Sequence, residues 1–375
     1  MEIFVRAAPE PAQPPPRGVT GFWPRWRERL FADAPTTVLT IIGAALIVWA
    51  GPGLVRFLLL DAVWSAPDGR LCAAPGAGAC WAFIARKAPY FMYGAYPEAE
   101  RWRVDLTIAF GAALIVWLLW RGAPRKGLAS LLFFVAFPIA GVVLLHGADW
   151  AGLIKVPTDV WGGVLVTLIM ALSGIVFSLP FGVLLALGRR SSLPVVRGAS
   201  IAYIEVMRGV PMITVLFMAN LMLPLFAPPW LTPDRLVRPM IGIALFASAY
   251  MAEVVRGGLQ AIPKGQFEGA MALGLTYPQR TAFVVMPQVL TIVAPGIVNT
   301  FIGLFKDTTL VAIVGIFDFL RTVETARLDP EWAGPTITAT AYVFAAIFYF
   351  VFCFGMSRYA LGVERALNRD HASAA

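Results

Sequence analysis

The sequence predicts an all-α polytopic membrane protein with about eight transmembrane helices. Of its 375 residues, 59% are hydrophobic and 14% are charged, and the mean hydropathy is +0.74. A soluble domain carries nearer ~25% charged residues, so most of this chain is suited to lipid. Its long apolar runs are close to the ~20 residues that a helix needs to cross the hydrocarbon core. The predicted spans are 37–60, 104–120, 128–147, 161–187, 202–226, 239–256, 288–316 and 336–357.

The segments before and between the spans predict two regions. Residues 1–36 are Pro-rich and then Trp- and Arg-rich, which predicts a disordered and interfacial N-terminus without a cleavable signal peptide. Residues 37–157 hold three spans and a long loop, 61–103. From residue 158 to 365, charged residues and turn motifs recur at span ends, and 366–375 form a short tail.

The seventh span is unusual because it is long and contains Pro295, Lys306 and Asp307. Non-helical backbone at membrane depth is tolerated only where protein or water covers it. This span is therefore predicted to be broken or partly re-entrant.

The distribution of Lys and Arg predicts the orientation of the spans. The pieces on the side of the N-terminus hold 17 Lys and Arg residues, against ten in the opposite loops, five of which lie in loop 61–103. By the positive-inside rule both termini are cytoplasmic, and loop 61–103 faces outward, into the periplasm of a Gram-negative host. A disulfide between Cys72 and Cys80 is possible in that compartment, although spacing alone does not decide it.

Several classes of function are disfavoured by the composition. The net charge of +8 fits loop topology better than nucleic-acid binding. None of the five lysines follows a glycine, so the chain contains no P-loop. Only His146 and His371 are present, and neither belongs to a pattern typical of a metal site or a catalytic triad. We therefore expect a non-catalytic chain without a metal or cofactor of its own.

Residues 268–287, EGAMALGLTYPQRTAFVVMP, lie between two spans and predict a helix, a turn and a second helix. Glu268 suits the first turn of a helix, and Gly274 can end that helix in a left-handed conformation. Thr276 is a plausible N-cap of the second helix, and Pro287 marks entry into the next span. From the residues alone, an amphipathic loop on the membrane surface is an equally good interpretation.

The same segment resembles the EAA loop of permease subunits from binding-protein-dependent ABC importers. That pattern is E-A-A, three residues, Gly, nine residues and I-x-L-P. Here Glu268, Gly269, Ala270, Gly274 and Pro287 reproduce the spacing without a gap, with Gly269 in place of the first Ala.

Further motifs resemble the polar amino-acid uptake permeases. They are YIEVMRGVP at 203–211, AYMAEVVRGG at 249–258, PKGQ at 263–266, and Asn299 followed by KDTTL at 306–310. The resemblance covers about 158–365 and implies a five-helix permease core that includes a cytoplasmic coupling loop, 257–287. The three additional N-terminal helices are similar to those of the longer permease in general L-amino-acid systems.

The resemblance implies a bacterial inner-membrane subunit that carries amino acids by alternating access. Its implied partners are a dimer of cytoplasmic ATPase subunits, which would bind ATP-Mg, a second homologous permease and a periplasmic amino-acid-binding protein. The helix around Glu268 would fit into a cleft of the ATPase.

Polar residues in or near the spans are the candidates for a translocation path. Ionisable groups there cost about 2.5–3.5 kcal/mol each at mid-helix, so they are expected to have partners or a function. They could bind a zwitterionic solute, or form ion pairs that hold helix ends together. Trp161, near a span end, is expected to be an interfacial belt residue. The candidate path residues are Glu205, Glu253, Asn299, Lys306, Asp307 and Thr308.

Two other classes remain open at this stage. An ion-coupled secondary transporter would show paired broken helices in two related halves, whereas one broken span and no repeat are seen here. A scaffold subunit without transport activity would suit the first three spans alone.

Overall fold

The computed structural model describes residues 26–27, 29–120 and 122–372, and over these ranges it is helical without strands. Seven of the described helices are long and apolar enough to cross a membrane, and a bent pair of helices provides an eighth span if the two count as one. The predicted class, all-α with about eight spans, is confirmed. The predicted disordered N-terminus lies mostly outside the described residues.

The helices follow one another through short connections, and several contain a single π turn. The first, α1, is capped by Asp33, whose side chain accepts a hydrogen bond from the Thr36 backbone N–H at 2.8 Å. In chain order they are α1 Ala34–Val55, continued by a π turn to Leu60, α2 Trp81–Tyr93, α3 Arg101–Leu119, α4 Lys126–His146, α5 Gly163–Arg189, α6 Pro194–Gly209, α7 Met212–Phe226, α8 Val237–Ala261, α9 Lys264–Ala272, α10 Tyr277–Val314, α11 Phe319–Ala326 and α12 Ile337–Ala372.

The predicted fifth span, 202–226, is wrong as a single straight helix. The chain instead forms α6 and α7, which meet at an angle of 105°. Pro211 explains the break, because proline disfavours the helical conformation of the residue before it and lacks a backbone N–H. Val210 is accordingly extended, with φ −104° and ψ 137°, and α6 ends at Gly209.

The predicted break in the seventh span is also wrong, because α10 continues through Pro295 to Val314. Helices in membranes tolerate proline where neighbouring groups satisfy the freed carbonyl. Pro287 lies in the first turn of the α-helical segment Met286–Asp307, as predicted, but this segment is not where the helix starts. The helix begins at Tyr277, and a π turn, Thr281–Val285, directly precedes the segment that contains Pro287. The second helix of the interspan segment and the following span therefore form one continuous helix.

The core of the bundle forms where α5 packs closely against α8. Small residues allow this approach, as is common between membrane helices. A Cβ atom on Gly182 would lie 2.7 Å from the Met251 side chain, so only glycine fits at this crossing. α10 packs on the other side of α8, and α12 packs on α10. Together these four helices provide most of the buried side chains of residues 163–372.

The N-terminal helices attach unequally to this core. None of the residues of α1 is buried, whereas α3 and α4 pack against each other. The loop 61–103 contains α2, which hydropathy alone did not predict because it has only 13 residues and an internal proline, Pro89. α2 packs on α5, α11 and α12, and it buries Phe83 and Phe91, which are 0% and 2% exposed.

Two covalent or polar links hold loop 61–103 in place. The sulfur atoms of Cys72 and Cys80 are bonded, and their Cα atoms are 5.6 Å apart. The Lys87 ammonium forms an ion pair with Asp329, which lies between α11 and α12. This contact lowers the pKa of the Asp329 carboxyl. The outward-predicted loop is thus tied to the C-terminal half of the chain.

The C-terminal helix is longer than predicted. Hydropathy predicts a span at 336–357 and a separate tail at 366–375, but α12 continues to Ala372. Residues 373–375 lie outside the described part of the chain. A helix of this length exceeds the ~20 residues needed to cross the hydrocarbon core, so α12 extends beyond it.

Candidate functional site

The first helix of the interspan segment ends in a Schellman motif. Gly274 has φ +75°, and its backbone N–H donates to the Met271 carbonyl at 2.9 Å. The Leu275 N–H donates to the Ala270 carbonyl at 3.2 Å, which completes the motif. The predicted helix end at Gly274 agrees with this geometry. The predicted start does not, because α9 begins at Lys264, which places Glu268 in the middle of the helix.

The turn after α9 leads directly into α10 through a capping box. The Thr276 side chain and backbone N–H both donate to the Gln279 side-chain oxygen, at 2.8 and 3.0 Å. Pro278 follows in the first turn of the helix, where a missing N–H costs nothing. The turn therefore connects α9 to one end of a 38-residue helix that is long enough to cross a membrane.

The segment formed by α9 and the start of α10 exposes four large apolar side chains. Met271, Leu273, Tyr277 and Phe283 are 53%, 80%, 56% and 74% exposed. Gly269 is also open, since a Cβ atom there would meet nothing within 4 Å. Met271 lies on α9, Leu273 in the turn after it, and Tyr277 and Phe283 in the first turns of α10. Exposed apolar side chains clustered on a short segment between two spans are typical of a protein–protein contact. We call these residues and Gly269 the α9 surface.

The opposite side of α9 rests on the bundle. Ala270 is 4% exposed, and the Arg190 guanidinium lies 5.7 Å from the centre of the Phe267 ring. The Gln288 side chain donates to Gln266 at 3.0 Å, which ties α9 to α10. The helix is therefore held by packing and polar contacts on one side and is free on the other.

Ionised side chains near the α9 end of the bundle form one network. Glu253 of α8 accepts from Arg256 at 2.6 Å and from Arg189 at 3.0 Å, and Arg208 lies 3.6 Å away. Arg189 also contacts Glu205 of α6 at 3.1 Å. The Glu253 side chain is only 15% exposed, so its charge depends on these partners.

The network ties together the ends of α5, α6 and α8. Its geometry corresponds to the ion-pair interpretation of Glu205 and Glu253, because both carboxylates already have arginine partners. Arg189 was missed by the sequence analysis. It stands in the loop-flanking pair Arg189–Arg190 and was counted only as a positive charge that sets orientation.

The remaining candidates for the path lie elsewhere. Along α10, Lys306 follows Tyr277 by 29 residues, which places it about 44 Å further along the helix. Lys306 and Asn299 are exposed, whereas Thr308 is buried and its hydroxyl donates to the Phe305 carbonyl at 2.8 Å. The structure therefore does not bring Asn299, Lys306, Asp307 and Thr308 together with Glu205 and Glu253.

One expected interfacial residue is buried. Trp161 is only 7% exposed and belongs to the core cluster that contains Leu165 and Ile243, so its interpretation as a belt residue is wrong. Within residues 26–27, 29–120 and 122–372, no group of three or more His, Cys, Asp or Glu side chains could hold a metal ion.

The described residues form a polytopic α-helical membrane protein with a short, exposed helix between two of its spans. Residues 178–369 match the family described as "Binding-protein-dependent transport system inner membrane component". The chain belongs to this family.

Two curated relatives resemble it over nearly its whole length. The "inner membrane amino-acid ABC transporter permease protein YhdY" of Escherichia coli (strain K12) is 46% identical over 91% of this chain and 92% of its own. The "glutamate/glutamine/aspartate/asparagine transport system permease protein BztC" of Rhodobacter capsulatus is 38% identical over 98% of this chain and 99% of its own. A crystal structure of an amino acid ABC transporter with histidines matches 54% of this chain and 92% of its own, at 27% identity and a TM-score of 0.47.

The predicted membership of this permease family is confirmed. The relatives also support the permease of an ATP-driven importer over the ion-coupled secondary transporter. Membership implies an inner-membrane protein that works with an ATPase and a binding protein.

Proposed function

We propose that the chain translocates amino acids inward and receives the force for this from a separate ATPase dimer through the α9 surface. The observation that carries the proposal is the arrangement of α9. It is held to the bundle by Phe267 and Ala270, exposes Met271 and Leu273, and leads through a capped turn into a membrane-crossing helix. Closure of a cleft around α9 would move α10 and the helices packed on it.

The proposal assigns the other parts by their chemistry. The chain has no Gly-Lys sequence and thus no P-loop, so ATP-Mg would be bound and hydrolysed by the partner. A second, homologous permease would complete the pathway, and a periplasmic binding protein would deliver the solute. In this orientation both termini and α9 are cytoplasmic, and loop 61–103 with its disulfide is periplasmic. The name of the BztC relative favours amino acids with acidic or amide side chains as solutes.

A reconstitution experiment tests the proposal. The tagged chain is purified from its host with the subunits that accompany it and is placed in liposomes with solute-loaded binding protein. We expect uptake of radiolabelled L-glutamate, L-glutamine, L-aspartate or L-asparagine that requires internal ATP. A preparation of the chain alone that accumulates these amino acids on an ion gradient, without ATP, would show that the proposal is wrong.

A further inference from the structure

A small cavity lies at the end of the bundle opposite α9. It has a volume of about 40 Å³ and is formed by three chain segments, 158–161, 235–236 and 315–317. α5 begins at Gly163, α8 begins at Val237 and α10 ends at Val314, so each segment directly adjoins the end of a core helix. The cavity therefore lies where these three helices converge, on the face predicted to be periplasmic.

Two opposite charges line this cavity without neutralising each other. Asp159 and Arg235 are both exposed lining residues, yet no ion pair within 4.0 Å joins them or links either to another side chain in the described ranges. The Arg235 guanidinium donates one hydrogen bond, to the Gly315 carbonyl at 2.7 Å. A guanidinium has five N–H groups in a planar fork, so donors remain for a ligand.

The wall of the cavity includes a buried tryptophan. Trp161 is 7% exposed, and its indole N–H is buried without an acceptor among the residues that the structure describes. Buried indole N–H groups usually have a partner, because leaving one unpaired is costly. A cavity of this volume has room for about three water molecules, or for a group the size of a carboxylate.

We propose that this cavity is an entry site for the charged backbone groups of a free α-amino acid. Arg235 binds the α-carboxylate, and Asp159 faces the α-ammonium. The inference rests on the proposed function, since it places the site where solute leaves the binding protein. All α-amino acids have these two charged groups. Because the site binds only these groups and does not contact the solute side chain, it admits amino acids with different side chains.

The experiment uses the full reconstituted complex and measures two rates with the same solute-loaded binding protein. One is uptake of the radiolabelled amino acid that the wild type transports best, and the other is ATP hydrolysis. Asp159→Asn is the cleanest variant, because it keeps the shape of an exposed side chain that has no recorded hydrogen bond in the described part of the chain. Arg235→Gln removes the charged guanidinium, and Arg235→Lys keeps the charge without the planar set of N–H donors. Lys155→Gln is the control, since Lys155 is 58% exposed and does not line the cavity.

We expect Asp159→Asn and Arg235→Gln each to lower the amount of solute moved per ATP about tenfold, the scale of one lost charge-assisted hydrogen bond. ATP hydrolysis stays near the wild-type rate, Arg235→Lys has an intermediate effect and Lys155→Gln has none. Unchanged coupling in Asp159→Asn and Arg235→Gln overturns the proposal. So does an equal loss of uptake and hydrolysis in both, which assigns these residues a structural role. A wild-type complex that transports no amino acid would instead show that the proposed function is wrong, and the entry site would be wrong with it.

Discussion

Arg189, the last residue of α5, donates a hydrogen bond to Glu253 of α8 at 3.0 Å. The two residues are 64 positions apart in sequence, and their contact joins the two helices. The same guanidinium nitrogen contacts Glu205 of α6 at 3.1 Å. A single arginine thereby fixes the relative position of three helices near the end of the bundle that carries α9. Any rocking of these helices must break or rearrange this contact.

Glu253→Gln is expected to destabilise the chain. The carboxylate is 15% exposed and contacts three arginines, so its removal takes away the counter-charge of Arg208 and Arg256 and one of the two carboxylates that contact Arg189. We expect a loss of roughly 1.5–3 kcal/mol, the range for hydrogen bonds to charged groups. The midpoint of thermal unfolding in detergent measures it. Glu205→Gln is the matched control, because that side chain is 57% exposed and should change stability by less than about 1 kcal/mol. Equal effects of the two variants would contradict the network.

The buried carboxyl group of Asp318 is expected to make the stability of the folded chain depend on pH. Its carboxylate is 0% exposed and accepts from the backbone N–H groups of Leu320 and Arg321 at the start of α11. Burial raises its pKa from 3.8 to about 7. Because the folded state then binds the proton more tightly than the unfolded state, the stability that this group contributes is greatest at low pH. It declines as the pH rises from about 4 to about 7.

Asp318→Asn isolates this effect, because asparagine keeps an N-cap acceptor and does not titrate. Relative to the wild type, the variant is expected to gain more stability at pH 8 than at pH 5, because only part of the wild-type decline has occurred at pH 5. Unfolding midpoints of both proteins at the two pH values provide the measurement. A difference between variant and wild type that is the same at pH 5 and pH 8 would show that Asp318 does not titrate in this range.

The cysteines give a chemical test of loop 61–103. The sequence has three, and the structure pairs Cys72 with Cys80, which leaves Cys353 as the free thiol. A maleimide reagent should label one site in denatured, unreduced protein and three after reduction. Cys72→Ser should also destabilise the loop by about 2–3 kcal/mol, the entropy of closing a loop of this length. Three labelled sites before reduction would show that the pair is not bonded in the cell.

The docking of α2 on the core gives a packing prediction. Phe91 is 2% exposed and contacts the rings of Phe83, Phe319 and Phe344, so Phe91→Ala should cost about 3–5 kcal/mol. Its neighbour Met92 is 36% exposed, and Met92→Ala should cost far less. Proteolysis of loop 61–103 in the two variants compares them.

Hydropathy was sufficient to locate the starts of α5 and α8. The predicted starts at 161 and 239 lie within two residues of Gly163 and Val237, because the apolar runs begin sharply after polar loops. The fifth span failed because apolar character continues through Pro211, where the backbone turns. α2 was missed because a 13-residue helix that is buried against protein has neither the length nor the hydropathy of a span.

The site was predictable where local rules decide it. Gly274 and Thr276 were assigned correctly from their conformational and capping preferences, which act over a few residues. Partnerships such as Arg189 with Glu253 depend on how distant helices pack, and the cavity beside Trp161 depends on three separate segments. Neither was visible from spacing along the chain.

The central claim is that the α9 surface contacts a nucleotide-binding subunit, and co-purification tests it most directly. Leu273→Asp places a charge on a side chain that is 80% exposed and outside the Schellman hydrogen bonds, so α9 itself should remain folded. Leu328→Asp is the matched control, since Leu328 is 69% exposed and lies in the loop between α11 and α12, at the opposite end of the bundle. We expect a P-loop ATPase, identified by mass spectrometry, to co-purify with the wild type and with Leu328→Asp and to be lost from Leu273→Asp. Retention of the ATPase by Leu273→Asp at the wild-type level would contradict the claim.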